Sequence, residues 1–185
     1  MAILRSARSA IRRSKLPWPL LAAGLLCVHA AAQQASEYDL KAAYLLNFTK
    51  FVEWPAEAFP DRGSPLAICL LGDDPFGPTL DQIVAGETVN GRSLVVRRLQ
   101  HAPQPKACQV LYVRESGKEV AGILTQTGPG VLTVGEGDSF IRAGGMIAFV
   151  IDDRRVRFDI AQTAAARARL RVSSRLMNVA RSADK

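Results

Sequence analysis

The chain has 185 residues, 24 basic and 17 acidic, for a formal charge of +7, and is long enough to bury one core. The basic surplus is not a nucleic-acid footprint. Arg5, Arg8, Arg12, Arg13 and Lys15 lie in the first 32 residues with no acidic residue among them, and without them the net charge falls to +2. His101 is the sole histidine after this leader, which leaves too few imidazoles and thiols for a His/Cys zinc site.

The leader combines a basic start, an apolar run from Leu20 to Val28, and Ala30-Ala31-Ala32. That order is the mark of a secretory signal peptide cut near Ala32. It leaves residues 33–185 as a single exported domain. The apolar run is shorter than the ~20 residues of a membrane span, so an uncleaved anchor is the weaker reading. Lipidation at Cys27 is disfavoured because the bulky Leu26 precedes it.

The first predicted element is a helix over Leu40 to Val52. At 100° per residue, Leu40, Tyr44, Phe48, Phe51 and Val52 share one face, and Thr49, Lys50 and Glu53 share the other. Asn47 falls at the edge of the apolar face, where a buried amide is expected to tie the helix to a neighbouring backbone. Trp54-Pro55 stops the helix. Leu66 to Leu71 reads as a buried strand, Gly72-Asp73-Asp74-Pro75 as a turn, and Thr79 to Ala85 as a short helix.

Strands follow at Leu94 to Leu99 and Cys108 to Val113, separated by a loop at Pro103 and Pro105. Ser116 and Glu119 have the spacing of a capping box for a helix over 116–126. Val131 to Val134 is a further strand. Gly135-Glu136-Gly137-Asp138 reads as a strand-to-strand turn, since the third glycine of a dinucleotide loop is missing and no helix is expected to follow. Met146 to Ile151 and Arg155 to Ile160 form a hairpin around Asp152-Asp153-Arg154. Ala161 to Ser182 reads as a helical tail with a break at Leu170 to Ser173. Strand and helix alternate, so the fold class is α/β: a layered sandwich with a mainly parallel sheet, an antiparallel C-terminal hairpin and flanking helices.

No catalytic constellation emerges. The chain lacks Gly-x-Ser-x-Gly and the P-loop pattern, and any Ser-His-Asp reading rests on His101 alone. Catalytic residues, metal ligands and cofactors are all expected to be none. Three features remain. Asp73, Asp74 and Phe76 stand at the carboxyl end of the first strand, where open α/β sheets bind ligands, which makes them a candidate ligand site; the alternative is turn capping. The Asp152–Arg155 hairpin tip reads as solvated. The tail concentrates Arg167, Arg169, Arg171, Arg175 and Arg181, either as a wet helix face or as a partner surface in which Leu170, Val172, Leu176 and Met177 supply apolar anchors.

Beyond the leader the chain carries two cysteines, Cys69 and Cys108, in apolar strand-like runs. An exported pair is more often bridged than free. A bridge would close a loop of about 40 residues.

Taken together, K-A-A-Y-L-L-N-F-T-K-F-V-E-W-P, L-A-I-C-L-L-G-D-D-P-F-G, G-G-M-I-A-F-V with V-R-F-D-I, and L-R-V-S-S-R-L resemble the YfiR family in order and spacing. The likeness covers nearly all of residues 37–181. It implies a non-enzymatic periplasmic α/β domain that restrains an inner-membrane diguanylate cyclase through its periplasmic part and lowers cyclic di-GMP. It further implies sequestration by an outer-membrane, peptidoglycan-binding lipoprotein in some systems, and a capacity to form homodimers. Cys69 and Cys108 match a disulfide pair of the family. The second pair that some members carry has no counterpart here, because residues 138–153 contain no cysteine. A partner surface is placed on the C-terminal block, at Leu170, Val172, Arg175, Leu176 and Met177. The runner-up function is a small-ligand accessory of a membrane sensor or transporter, with its site at Asp73, Asp74 and Phe76.

Overall fold

A computed structural model describes residues 37–102, 106–114 and 118–184. The leader with Cys27, the Pro103–Pro105 loop and the Ser116 half of the capping box lie outside the described residues. Helix α1 spans residues 37–51. It is followed by β1 (Val52–Glu53), a 3₁₀ turn (Ala56–Ala58), β2 (Leu66–Leu71), α2 (Pro78–Val84), β3 (Thr88–Val89) and β4 (Arg92–Leu99). Then come β5 (Val110–Val113), α3 (Lys118–Gln126), β6 (Leu132–Glu136), α4 (Asp138–Arg142), β7 (Ile147–Asp152) and β8 (Arg155–Ala161). The chain closes with α5 (Gln162–Arg167), β9 (Arg171–Val172), α6 (Ser174–Val179) and β10 (Ser182–Asp184).

One eight-stranded sheet runs in the order β10-β8-β7-β6-β5-β2-β4-β3. Strands β4, β2, β5, β6 and β7 are mutually parallel, and β8 pairs antiparallel with β7. The expected layered α/β class is therefore present. The hairpin does not end the sheet, however, because β10 adds a parallel strand outside β8.

Helices cover both faces, which explains why all six residues of β2 are buried. Leu66, Ile68 and Leu70 face a core shared with α1, α2, α5 and α6, while Ala67, Cys69 and Leu71 face the core under α3 and α4. Phe140 of α4 sits between Gly135 and Gly145. A Cβ added at either glycine would lie 2.3 Å or 2.1 Å from its ring, so both positions must lack a side chain.

Several elements differ from the sequence expectation. The buried stripe of α1 is Tyr38, Ala42, Leu45 and Phe48, continued by Val52 of β1, and is rotated from the expected face. Leu40 is 44% exposed and Asn47 is exposed, so Asn47 does not tie the helix to the core. Thr49, placed on the wet side, is buried and donates to the Leu46 carbonyl at 2.6 Å. Polar Lys41 and Thr49 lie on the buried arc, which displaced the apparent centre of the hydrophobic face.

A five-residue helix, α4, follows Gly135–Asp138, so that segment is not a strand-to-strand turn. The tail does break at Leu170–Ser173, but it breaks into β9, which pairs antiparallel with β1, and it ends in β10 instead of continuing as a helix. The β3–β4 hairpin was missed. Its Asn90-Gly91 turn has φ of 53° and 78°, the left-handed pair that a two-residue hairpin requires.

Candidate functional site

The two cysteines form a disulfide, with Cα atoms 5.8 Å apart. Cys69 lies in β2 and Cys108 just before the neighbouring β5, so their Cβ vectors meet on the α3/α4 side of the sheet. The bridge clips the centre of the sheet and is fully buried.

The carboxyl end of β2 is occupied by turn chemistry. Asp74 Oδ1 accepts from the backbone N–H of Phe76 at 2.8 Å and of Gly77 at 3.1 Å. Its other oxygen accepts from Arg98 Nε at 2.8 Å, and Arg98 also grips Asp81 at 2.6 Å. The hydrogen bond from Arg98 holds the Asp81 carboxyl below its ordinary value. Phe76 is buried, with its ring edge-on to Tyr38 and Tyr112. Asp73 is exposed. The three residues stand close in the chain but in different settings: Asp73 exposed, Asp74 hydrogen-bonded within the turn, and Phe76 in the core.

The C-terminal candidates separate into two groups. Leu170 and Leu176 are 3% and 4% exposed and belong to the main core. They cannot be anchors for a partner, because an anchor must be accessible before binding. Val172 and Met177 are half-buried at its edge, and Arg175 is exposed. Val179, not anticipated, is 58% exposed. Ser173 accepts from the Leu176 N–H at 3.3 Å and so starts α6, and the Ser173 N–H donates to the Phe51 carbonyl at 2.9 Å. Arg181 is not part of a free arginine face: its guanidinium forks onto Asp159 and reaches Asp138 at 3.0 Å. The Asp152–Arg155 tip is exposed, as a solvated turn requires.

Sequence reasoning missed a buried charge cluster. Lys41, 2% exposed, sits between Glu37 at 2.6 Å and Glu136 at 3.1 Å, 4.4 Å above the Tyr38 ring. Glu136 also accepts from Tyr38 at 3.1 Å and from Tyr112 in a short bond. Burial pushes the Glu136 carboxyl up, but the Tyr112 hydroxyl and the Lys41 ammonium outweigh it and leave the group below its ordinary 4.5. Burial and the Glu136 charge push the Tyr112 phenol far up. The cluster joins α1 to β5 and β6, and every member has a partner, so it works as a polar rivet. The available signal was the i, i+4 pair Glu37–Lys41, which a helical wheel places together.

Among the described residues no three His, Cys, Asp or Glu side chains could hold a metal, and no helix is long and apolar enough to cross a membrane. The arrangement is a covalently clipped, helix-covered α/β domain whose charged clusters tie elements to one another. The chain belongs to the YfiR/HmsC-like family, whose model matches residues 38–181. This family is regulatory and non-catalytic, and membership suggests a periplasmic regulator of diguanylate cyclase signalling. No curated protein matches the chain.

Proposed function

We propose that the protein is a non-enzymatic periplasmic regulator that binds the periplasmic part of an inner-membrane diguanylate cyclase and holds it inactive, lowering cyclic di-GMP. Residues 1–32 are removed on export, and residues 33–185 act as one domain. The observation that carries the reading is the family match over residues 38–181, which includes β9 and α6. On that segment exposed Arg175 and Val179 stand four residues apart on α6, which puts a cation and an apolar side chain on one face, with half-buried Val172 and Met177 at the edge of the core and Leu170 and Leu176 within it. Arginine beside apolar side chains is the composition of an interface hot spot. Restraint requires tighter binding to the inactive state of the cyclase, and a ratio of ~10⁴ takes a two-state sensor from 1:99 to 99:1. Sequestration by an outer-membrane, peptidoglycan-binding lipoprotein, or pairing with a second copy, would compete for the free regulator.

The test is made in the native host. Deleting the gene raises cyclic di-GMP, and chromosomal Arg175→Glu or Val179→Asp, both at exposed positions, reproduces the rise while the urea midpoint of the purified variant is unchanged. Unchanged cyclic di-GMP in the deletion strain removes the cyclase from the proposal, and wild-type behaviour of both variants removes this surface. The small-ligand alternative draws little from this end of the sheet, where Asp74 is engaged by the turn and by Arg98 and Phe76 is in the core.

A further inference from the structure

A cavity of about 250 Å³ opens at the amino ends of β5 and β6, on the opposite end of the parallel strands from Asp73 and Asp74. Pro55, Ala58, Pro129 and Val131 give it apolar walls, and Gly128 and Gly130 add no side chains to fill it. The pocket is open to solvent, and a largely apolar cleft with a few placed polar groups is the ordinary form of a small-ligand site. The wall is built independently of any ligand. Buried Gln109 donates to the Ala58 carbonyl at 2.7 Å and accepts from the Ala67 N–H at 2.8 Å, and its own carbonyl accepts from the Trp54 indole at 3.1 Å. Gly130 is fixed by close approach, since a Cβ there would lie 2.7 Å from Ala58 Cβ.

Three charged side chains line the cavity: Lys106, Arg169 and Glu57. The two cations are exposed and make no ion pair among the described residues. Both also have left-handed backbone, with φ of 62° and 61°. For Arg169 the cost is clear. It follows the C-cap of α5, where its N–H donates to Ala166 and the Leu170 N–H donates to Ala165, the pairing of a Schellman turn. That position favours glycine, because a Cβ is strained there. A long cation stands in it instead, beside an apolar cavity.

We infer that this cavity binds a single acyl chain with an anionic head, the chain lying between Pro55, Ala58 and Val131 and the head held by Arg169 and Lys106. Such a chain comes from a free medium-chain fatty acid or from an anionic lysophospholipid. The inference does not depend on the partner proposed above. Its position couples it to the proposed partner segment, since Arg169 lies three residues before Val172.

The experiment titrates decanoate, decanol and lysophosphatidylglycerol into the purified protein, followed by calorimetry and by the emission of Trp54, which adjoins Pro55. Decanoate or lysophosphatidylglycerol binds saturably at one site, and the tighter of the two names the source. Uncharged decanol binds at least tenfold more weakly. Arg169→Gly weakens binding of the anion at least tenfold and raises the urea midpoint, because glycine relieves the turn. A purely structural role for Arg169 predicts no loss of binding. Glu57→Gln tightens binding by removing a negative charge from the cavity. Gly128→Leu fills the space and abolishes binding. The inference is overturned if neither anion binds saturably, or if Arg169→Gly binds decanoate as the wild type does.

Discussion

Lys41 is the most constrained charge in the described chain. An ammonium can be buried only when paired and hydrogen-bonded, and here Glu37 and Glu136 bracket it. Lys41→Ala would leave Glu136 half-enclosed without its cation. Removing one partner of a fully buried pair costs ~3–5 kcal/mol. Glu136 keeps about a third of its side chain open to water, which screens it, so the expected loss is about 2–3 kcal/mol in urea unfolding. The same residues set an acid limit. The folded Glu136 carboxyl lies below its ordinary 4.5, so its contribution is fully present above that value and is lost as pH falls through the lower folded value. The stability of the wild type should therefore drop below about pH 4.5, and Glu136→Gln should flatten that limb. Equal acid slopes for the two proteins would reject the assignment.

Elements obey the same logic on a larger scale. The disulfide joins two strands that are already neighbours in the sheet, with β2 and β5 paired from Ile68 to Leu71. Its effect should be chiefly on the unfolded chain, whose loop it closes. In the chain-entropy model a loop of this size is worth roughly 4 kcal/mol. A Cys69→Ser/Cys108→Ser double variant should keep its far-ultraviolet circular dichroism and lose about 2–4 kcal/mol of stability. A large loss of secondary structure at neutral pH would mean that the bridge also shapes the native sheet. Helix α1 shows where element-level reading stops. Its existence was legible from the spacing of its aromatics, and its ending before Pro55 from the restriction proline imposes. Its buried face was not legible, because Lys41 and Thr49 are polar yet buried through partners elsewhere in the fold. The two short strands β1 and β9 were equally hidden, since two residues carry no periodicity.

At the scale of the molecule, the alternation of buried strands with helices made the α/β class and the mainly parallel sheet readable, and the paired cysteines gave one fixed contact. The strand order and the outermost strand were not readable, because they depend on pairings over long chain separations. The same limit applies to the candidate sites. Asp73 and Asp74 were singled out by their place at a strand end, yet Arg98, contributed by β4, closes the turn on which Asp74 sits. The cavity at the opposite end is assembled from four separate segments, none of which carries a motif. Of the apolar residues that the sequence offers as partner anchors, half are core: Leu170 and Leu176 hold α6 down, Val172 and Met177 are half-buried, and Val179 is the exposed one.

Strand β10 is three residues long, yet it covers the Asp159–Ala161 edge of β8, and Arg181 locks its entry onto Asp159. Its removal would bare a row of unpaired backbone donors and acceptors flanked by Phe158 and Ile160. An open edge of that kind recruits strands from other molecules. Deleting residues 182–185 should therefore yield a protein that folds but self-associates, with light scattering that grows with concentration while the full chain stays clear. The last strand would then act as a built-in stopper against polymerisation, and the solubility of the whole domain would rest on a handful of terminal hydrogen bonds.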